Sequence, residues 1–253
     1  MKLQDRVAIV TGGGYGIGRE YTIALADEGA KVVAADINLE AAQKVAKELE
    51  DRGKEALALK TDVSDEKSTQ EMAKATLDRF GRIDILVNNA ALFTALGIKP
   101  WEEIEVAEWD RCMAVNLKGL FLCSKAVVPH MKAQGKGRII NISSGLAYRG
   151  YVGCLHYVTS KAGVLGFTRG LARELAGQNI TINSIAVGGT LSESVVATDY
   201  IPPQAQEIVR NIRCVQKDMY PKDITGTVVF LASDDSEFIC GETIVVDGGT
   251  AFV

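Results

Sequence analysis

Short β-branched runs alternate with longer helical patterns along almost the whole chain, and this alternation restricts the fold more than any other feature. Val7–Val10, Lys31–Ala35, Ala56–Lys60, Ile83–Val87, Arg138–Ile142, Ile180–Ser184 and Thr243–Val246 read as strands. Helical patterns fall between them at Ile17–Glu28, Leu39–Arg52, Asp65–Phe80, Ala107–Met131 and Tyr157–Ala176, with Val228–Ala232 inside a further helix. Gly29 and Gly53 fit helix ends, where a left-handed residue closes the last turn. Such alternation predicts a doubly wound α/β fold with a seven-stranded parallel sheet. The strands are too apolar for one wet face, so helices are expected on both faces. With 253 residues, 47% of them hydrophobic, the chain is expected to form a single domain over residues 1–253.

The net charge is -4, from 28 basic and 32 acidic residues spread along the sequence. No basic run points to nucleic acid or to an anionic membrane. The N-terminus lacks the apolar core of a signal peptide, and no run of about 18 apolar residues is seen to span a bilayer. The five cysteines, Cys112, Cys123, Cys154, Cys214 and Cys240, form no Cys-x-x-Cys pair. They read as buried free thiols in a reducing compartment, which fits a cytoplasmic location. With only His130 and His156 and no ligand cluster, no metal site is expected.

A glycine-rich turn, Thr11-Gly12-Gly13-Gly14-Tyr15-Gly16-Ile17-Gly18, follows the first strand and opens a helix. That context suits a dinucleotide. Gly12 permits the tight turn, Gly16 allows close approach to a pyrophosphate, and Gly18 lets helix and strand pack. The helix start around Ile17 would face the phosphates with free N–H groups. Asp36 ends the second strand, where a carboxylate can accept both hydroxyls of an adenosine ribose. It would repel a 2′-phosphate, and neither Tyr15 nor Ile37 supplies a compensating positive charge. The expected cofactor is therefore NAD rather than NADP. Asp62-Val63 ends the third strand. Its carboxylate can meet an adenine amine and the Val63 N–H the ring, or Asp62 can simply cap a helix.

Tyr157 and Lys161 are four residues apart, so on a helix they share one face. A neighbouring ammonium favours the phenolate, which would make Tyr157 a general acid and base near neutral pH. Ser144 lies thirteen residues before Tyr157. The adjacent Ser143 points the other way if the segment is a strand.

These markers, with Asn88-Asn89-Ala90-Ala91, Asn116 and Asp247-Gly248-Gly249, fall in an order that resembles the short-chain dehydrogenase/reductase family over essentially the whole chain. The resemblance implies a Rossmann-type sheet, a nicotinamide cofactor without metal, and a homotetramer. It implies that Tyr157 exchanges a proton with the substrate oxygen and that Ser144 hydrogen-bonds that oxygen. Lys161 would lower the tyrosine pKa and hold the nicotinamide ribose, and Asn116 would hold a water linking Lys161 to solvent. Asn89 would lie under the adenosine half. Two departures stand out. Ala91 replaces a usual glycine. Val187-Gly188 replaces Pro-Gly, so the loop orienting the carboxamide is expected to be looser, with the Val187 backbone and either Ser192 or Thr190 contacting it.

The segment Gly188–Lys217 follows a strand end and reads as a lid. The expected pocket lining is Phe93, Leu146, Tyr148, Tyr151, Cys154, Gly188, Val195, Val196 and Tyr200, which suits a hydrophobic or aromatic ketone or secondary alcohol. A 3-oxoacyl-carrier-protein reductase is the main alternative. Gln178, where such reductases often carry arginine, and Asp36 both oppose it. A catalytically silent nicotinamide-binding sensor is the remaining alternative, opposed by the presence of both Tyr157 and Lys161.

Overall fold

The computed structural model describes residues 1–198 and 200–253, with the side chain of residue 203 left aside. Its strands are β1 (Val7–Thr11), β2 (Lys31–Asp36), β3 (Ala56–Lys60), β4 (Ile85–Asn88), β5 (Gly137–Ser144), β6 (Ile180–Val187) and β7 (Thr243–Val246). They form one parallel sheet in the order β3-β2-β1-β4-β5-β6-β7. The strand order reverses between β1 and β4, and the crevice beyond their carboxyl ends is where open α/β sheets bind ligands.

Alternate strand residues feed two cores. Ala8, Val10, Val32, Ile85, Val87 and Ile140 face one side. They pack with α1 (Gly16–Asp27), α2 (Leu39–Asp51) and α10 (Lys222–Ala232), through residues such as Leu25, Leu49 and Val228. Ile9, Val33, Leu86, Ile139 and Ile182 face the other side. They pack with α3 (Glu66–Phe80), α5 (Gly119–Gln134) and α7 (Leu155–Glu174), through residues such as Met72, Val127 and Leu171. A parallel sheet covered on both faces reads as near-continuous apolar strands, as these do. Helix ends follow local chemistry. Asp65 accepts the Ser68 N–H at 2.8 Å to start α3, and left-handed Gly81 closes it.

The expected helix over Ala107–Met131 is longer and interrupted. It comprises α4 (Val106–Met113), a π turn (Ala114–Lys118) and α5. By length and mean hydropathy, Val106–Gln134 is sufficient to cross a bilayer, which corrects the reading that no segment is. In this fold Cys123, Val127 and Met131 on that helix pack into the sheet core. A second correction concerns the thiols. Cys112, Cys123 and Cys154 are buried, but Cys214 and Cys240 are exposed.

The strands β5 and β6 run further than their β-branched cores, ending at Ser144 and Val187. Segment 188–217 leaves the carboxyl end of β6 and contains α8 (Glu193–Ala197) and α9 (Pro203–Ile212). Between β5 and α7 lies the single-turn α6 (Leu146–Arg149).

Candidate active site

A cleft of about 970 Å³ opens at the carboxyl ends of the strands. At one end the β1–α1 turn brings Gly12, Tyr15, Gly16, Ile17 and Gly18 to its wall, joined by Asp36, Ile37, Asp62, Val63 and Asn89. Gly16 has φ +55, and a Cβ there would meet nothing nearer than the Ser192 Cβ at 3.7 Å, so its α-carbon face is open to close approach. A Cβ on Gly18 would lie 2.0 Å from the Gly12 carbonyl oxygen and 2.4 Å from Asn89 Nδ2. The close packing of helix on strand therefore requires glycine at 18.

Asn89 holds this turn from beneath. Its Nδ2 donates to the carbonyls of Thr11 at 2.9 Å and Gly12 at 3.2 Å. Ala91 has no left-handed backbone, so a methyl group is tolerated where the usual residue is glycine.

Asp36 accepts the Gly14 N–H at 3.0 Å on one oxygen and the Asn38 N–H at 2.9 Å on the other. These bonds fix its orientation and leave each oxygen a lone pair for a ribose hydroxyl. Asp62 does not cap the helix; Asp65 does. Asp62 instead accepts the Ser64 N–H at 2.9 Å and hydroxyl at 2.7 Å. Beside it, Thr61 lines the cleft with a buried hydroxyl that has no partner among the described residues. An open glycine turn, an oriented carboxylate and an orphaned hydroxyl fit the adenosine half of a dinucleotide.

One expectation about this end needs correcting. The helix N-terminus is not wholly free, because the Gly16 N–H donates to Glu193 Oε2 at 3.3 Å. The start of segment 188–217 thus folds onto the glycine turn and puts a carboxylate on an anion-binding position.

At the other end, β5 and α7 supply Ser144, Tyr157 and Lys161, three members of the tetrad that Asn116 completes. Tyr157 and Lys161 stack one helical turn apart, with Lys161 Nζ 5.8 Å from the phenol ring centroid. Lys161 is buried and donates to the Ile142 carbonyl at 2.7 Å. An ammonium has three donors, so two remain for a ligand. Ser143 Oγ donates to the Lys161 carbonyl at 2.8 Å, on the opposite side from Ser144. Ser144 Oγ accepts the Leu146 N–H at 3.2 Å. Burial lowers Lys161 from 10.5 to about 8. Burial also raises the Tyr157 phenol, while the Ser144 hydroxyl pulls it down. The expected lowering of Tyr157 is therefore reversed by desolvation, and the contact that opposes burial is the Ser144 hydroxyl, not Lys161.

Asn116 lies on the π turn, a geometry frequent at functional sites. Its Oδ1 accepts the Leu92 N–H at 2.7 Å, and its Nδ2 donates to the Leu92 carbonyl at 3.1 Å and to Ser160 Oγ at 3.1 Å. Asn116 thereby clamps the segment after β4 to α7. A second brace, not legible in the sequence, involves the residue beside Tyr157. Buried His156 Nε2 lies 2.9 Å from Glu108 Oε1, and Lys99 Nζ donates to Glu108 Oε2 at 2.6 Å. The Lys99 and His156 bonds hold the Glu108 carboxyl below its usual range.

Val187 closes the end of β6, paired with Ser144 of β5 and Val246 of β7. Its carbonyl accepts the Gly145 N–H at 2.9 Å, and the Gly188 N–H reaches Val246 at 2.9 Å. Val187 is thus held by ladder partners on both sides at the point where segment 188–217 leaves the sheet. Thr190 Oγ1 donates to the Gly188 carbonyl at 2.9 Å. Ser192 Oγ lies 3.1 Å from Ser194 Oγ.

Phe93, Leu146, Tyr151, Cys154, Gly188, Val195 and Tyr200 line the cleft, but Tyr148 and Val196 do not. Phe93 packs on both Tyr157 and Tyr200, with ring centroids 4.6 Å apart in each pair. Unforeseen were Ile201, Ala205, Ile208, Val209 and Ile212. The last four fall at helical spacing, one face of α9 turned to the cleft. That spacing was legible; its direction was not.

A nucleotide-type crevice joined to a Ser-Tyr-Lys cluster defines a dinucleotide-dependent α/β enzyme class. Residues 6–200 match the short chain dehydrogenase family, and the chain belongs to that family. It is 40% identical over 252 residues to (2S)-[(R)-hydroxy(phenyl)methyl]succinyl-CoA dehydrogenase subunit BbsD of Thauera aromatica, covering 98% of each chain. It is 36% identical over 250 residues to a 3-oxoacyl-[acyl-carrier-protein] reductase of Thermotoga maritima, covering 98% of this chain and 99% of that one. Among solved structures, 7α-hydroxysteroid dehydrogenase with NADH and 7-oxo glycochenodeoxycholic acid superimposes with a TM-score of 0.92 at 32% identity. That match covers 98% of this chain and 95% of the other. The chain is an oxidoreductase of this family.

Proposed function

We propose that this protein is an NAD-dependent oxidoreductase that interconverts a hydrophobic or aromatic secondary alcohol and its ketone. The observation that carries the reading is the cleft itself, with Asp36 oriented at one end and Tyr157, Ser144 and Lys161 beneath an aromatic pocket at the other. The bound nicotinamide would supply or accept the hydride at the carbonyl carbon.

Each remaining role falls to a side chain. Asp36 accepts from the ribose hydroxyls, and Gly12, Tyr15, Gly16, Ile17 and Gly18 pass beneath the pyrophosphate. Ile37, Asp62, Val63 and Asn89 border the adenosine. Lys161 donates to the nicotinamide ribose with its two unused N–H groups, while Val187, Thr190 and Ser192 flank the carboxamide. Ser144 donates to the substrate oxygen and holds it beside Tyr157. Tyr157 gives its phenolic proton to that oxygen in reduction and takes it back in oxidation. Burial raises the phenol, so Tyr157 enters the cycle protonated, ready to act as the acid. Asn116 braces α7 and, through its remaining lone pair, can hold the water that refills the proton. Phe93, Leu146, Tyr151, Cys154 and Val195 receive the apolar body of the substrate, and segment 188–217 covers it.

A homotetramer in the cytoplasm is part of this reading, supported by the family to which the chain belongs. The test is initial-rate kinetics with NADH and NADPH on aryl ketones, aliphatic ketones and 3-oxoacyl thioesters. NADH preference with aryl or medium-chain ketones supports it. NADPH preference confined to 3-oxoacyl thioesters would replace it with the carrier-protein reductase reading.

A further inference from the structure

Two guanidinium groups line the cleft, Arg149 and Arg111. Arg149 ends α6, the single turn that follows Ser144 and Gly145, and Tyr151 lies two residues further on. Arg111 sits on α4, five residues before Asn116. Neither forms an ion pair or a side-chain hydrogen bond with the described residues.

Among the described residues, the acids lining the cleft are Asp36 and Asp62, both at the glycine-turn end. Among those residues the tetrad end therefore carries positive charge without a lining carboxylate, beside apolar side chains such as Phe93, Leu146 and Ile208. Arg213, buried under segment 188–217, has Asp218 and Asp247 as countercharges and spends its Nη donors on the Lys217 and Gly189 carbonyls. Two exposed arginines at the rim of one cleft, with no acid partner among the described residues, are a docking point for an anion.

We infer that the substrate of this site is anionic: a hydrophobic or aromatic hydroxy or keto compound whose carboxylate, or thioester-linked phosphate, is held by Arg149, with Arg111 as the second cation. The inference rests on the proposed hydride-transfer reading and names the class of molecule that this reading leaves open. A planar guanidinium can bind a carboxylate through two parallel hydrogen bonds, which fixes orientation as well as affinity. Both guanidiniums are exposed, so the paired geometry, more than a dry surrounding, supplies the selectivity. Anchoring the far end would set which face of the carbonyl meets the cofactor, because the apolar walls alone permit rotation about the substrate's long axis. Arg149 follows Ser144 by five residues and lines the same cleft as Tyr157, so the anion and the reacting carbon share one pocket.

The experiment compares benzoylpropionate, its methyl ester and its coenzyme A thioester as substrates with NADH. The expected result is a kcat/KM for the free acid or the thioester at least about tenfold above that of the ester. Preference for the acid assigns the anion as a carboxylate, and preference confined to the thioester assigns it as a phosphate. Arg149→Gln should remove the preference by raising KM for the anionic compounds. It should leave kcat/KM for the ester, and NADH affinity by fluorescence titration, unchanged. Arg149→Lys should recover part of the preference. Equal kcat/KM for acid, thioester and ester in the wild type, or equal losses for all in Arg149→Gln, would overturn the inference. Calorimetry of the same compounds on the NADH complex separates the two claims. Anion-selective binding without turnover would sink hydride transfer to such ketones and leave the anion site standing. Binding with no selectivity would sink the anion site alone.

Discussion

Lys161 carries a cost that can be measured. Its ammonium is 2% exposed, and burial moves it from 10.5 to about 8. At about 1.36 kcal/mol per pH unit, that gap corresponds to about 3 kcal/mol opposing the folded state at low pH. The sign follows from proton counting. Between pH 8 and 10.5 the unfolded lysine stays protonated while the folded one does not, so stability rises with pH across this window. Lys161→Met removes the group. Its absolute effect mixes relief of this cost with loss of the bond to the Ile142 carbonyl, worth about 1–3 kcal/mol. The pH dependence is free of that ambiguity. The wild type should gain about 2–3 kcal/mol on Lys161→Met between about pH 7 and about pH 10. Tyr157, raised by burial, opposes this only above its ordinary 10.0 and is present in both proteins. Urea melts followed by fluorescence of Trp101 and Trp109 would report the difference, equivalent to about 5–10 °C in Tm. Parallel stability–pH curves for the two proteins would refute the reasoning and place the folded lysine near its ordinary pKa. Turnover should fall steeply in Lys161→Met whatever its stability.

Three further outcomes follow from named contacts. Asp36→Ala should weaken NADH by about tenfold or more and NADPH little, read by fluorescence titration, because only the former loses two charge-assisted bonds. Glu193→Gln should tighten NADH several-fold, since the carboxylate at 3.3 Å from the Gly16 N–H competes with a pyrophosphate. An unchanged dissociation constant would show that this contact does not oppose binding. Gly18→Ala should destabilise the fold by more than about 1 kcal/mol and abolish NADH binding, because its Cβ would meet the Gly12 carbonyl oxygen at 2.0 Å.

Where the sequence was legible, local chemistry and tertiary structure agree. Val7–Val10 and Lys31–Ala35 are apolar throughout because both faces of the sheet are covered, and their strands appear within a residue of expectation. The glycine turn, Asp36 and the Tyr157–Lys161 pair lie close to their elements in sequence, so their spacing carries their geometry. Ser144 and Val187 were harder. They extend β5 and β6 beyond the β-branched core, held by ladder partners far along the chain. The contact of Glu193 with Gly16, the clamp of Asn116 on Leu92 and the His156–Glu108–Lys99 brace depend on segments brought together only by folding. So does the exposure of Cys214 and Cys240, which residue type alone marks as core. The net charge of -4 hid the local excess of arginine at the tetrad end, because the compensating acids lie elsewhere.

The central claim is that Tyr157 moves the substrate proton in a cleft selected for NAD by Asp36. Its most direct test is Tyr157→Phe, assayed for NADH binding and for reduction of an aryl ketone beside the wild type. The account requires NADH affinity within about twofold of wild type and turnover lower by about a thousandfold or more, since the ring is kept and only the proton donor is lost. Turnover within about tenfold of wild type, or a wild-type enzyme that uses only NADPH, would contradict it.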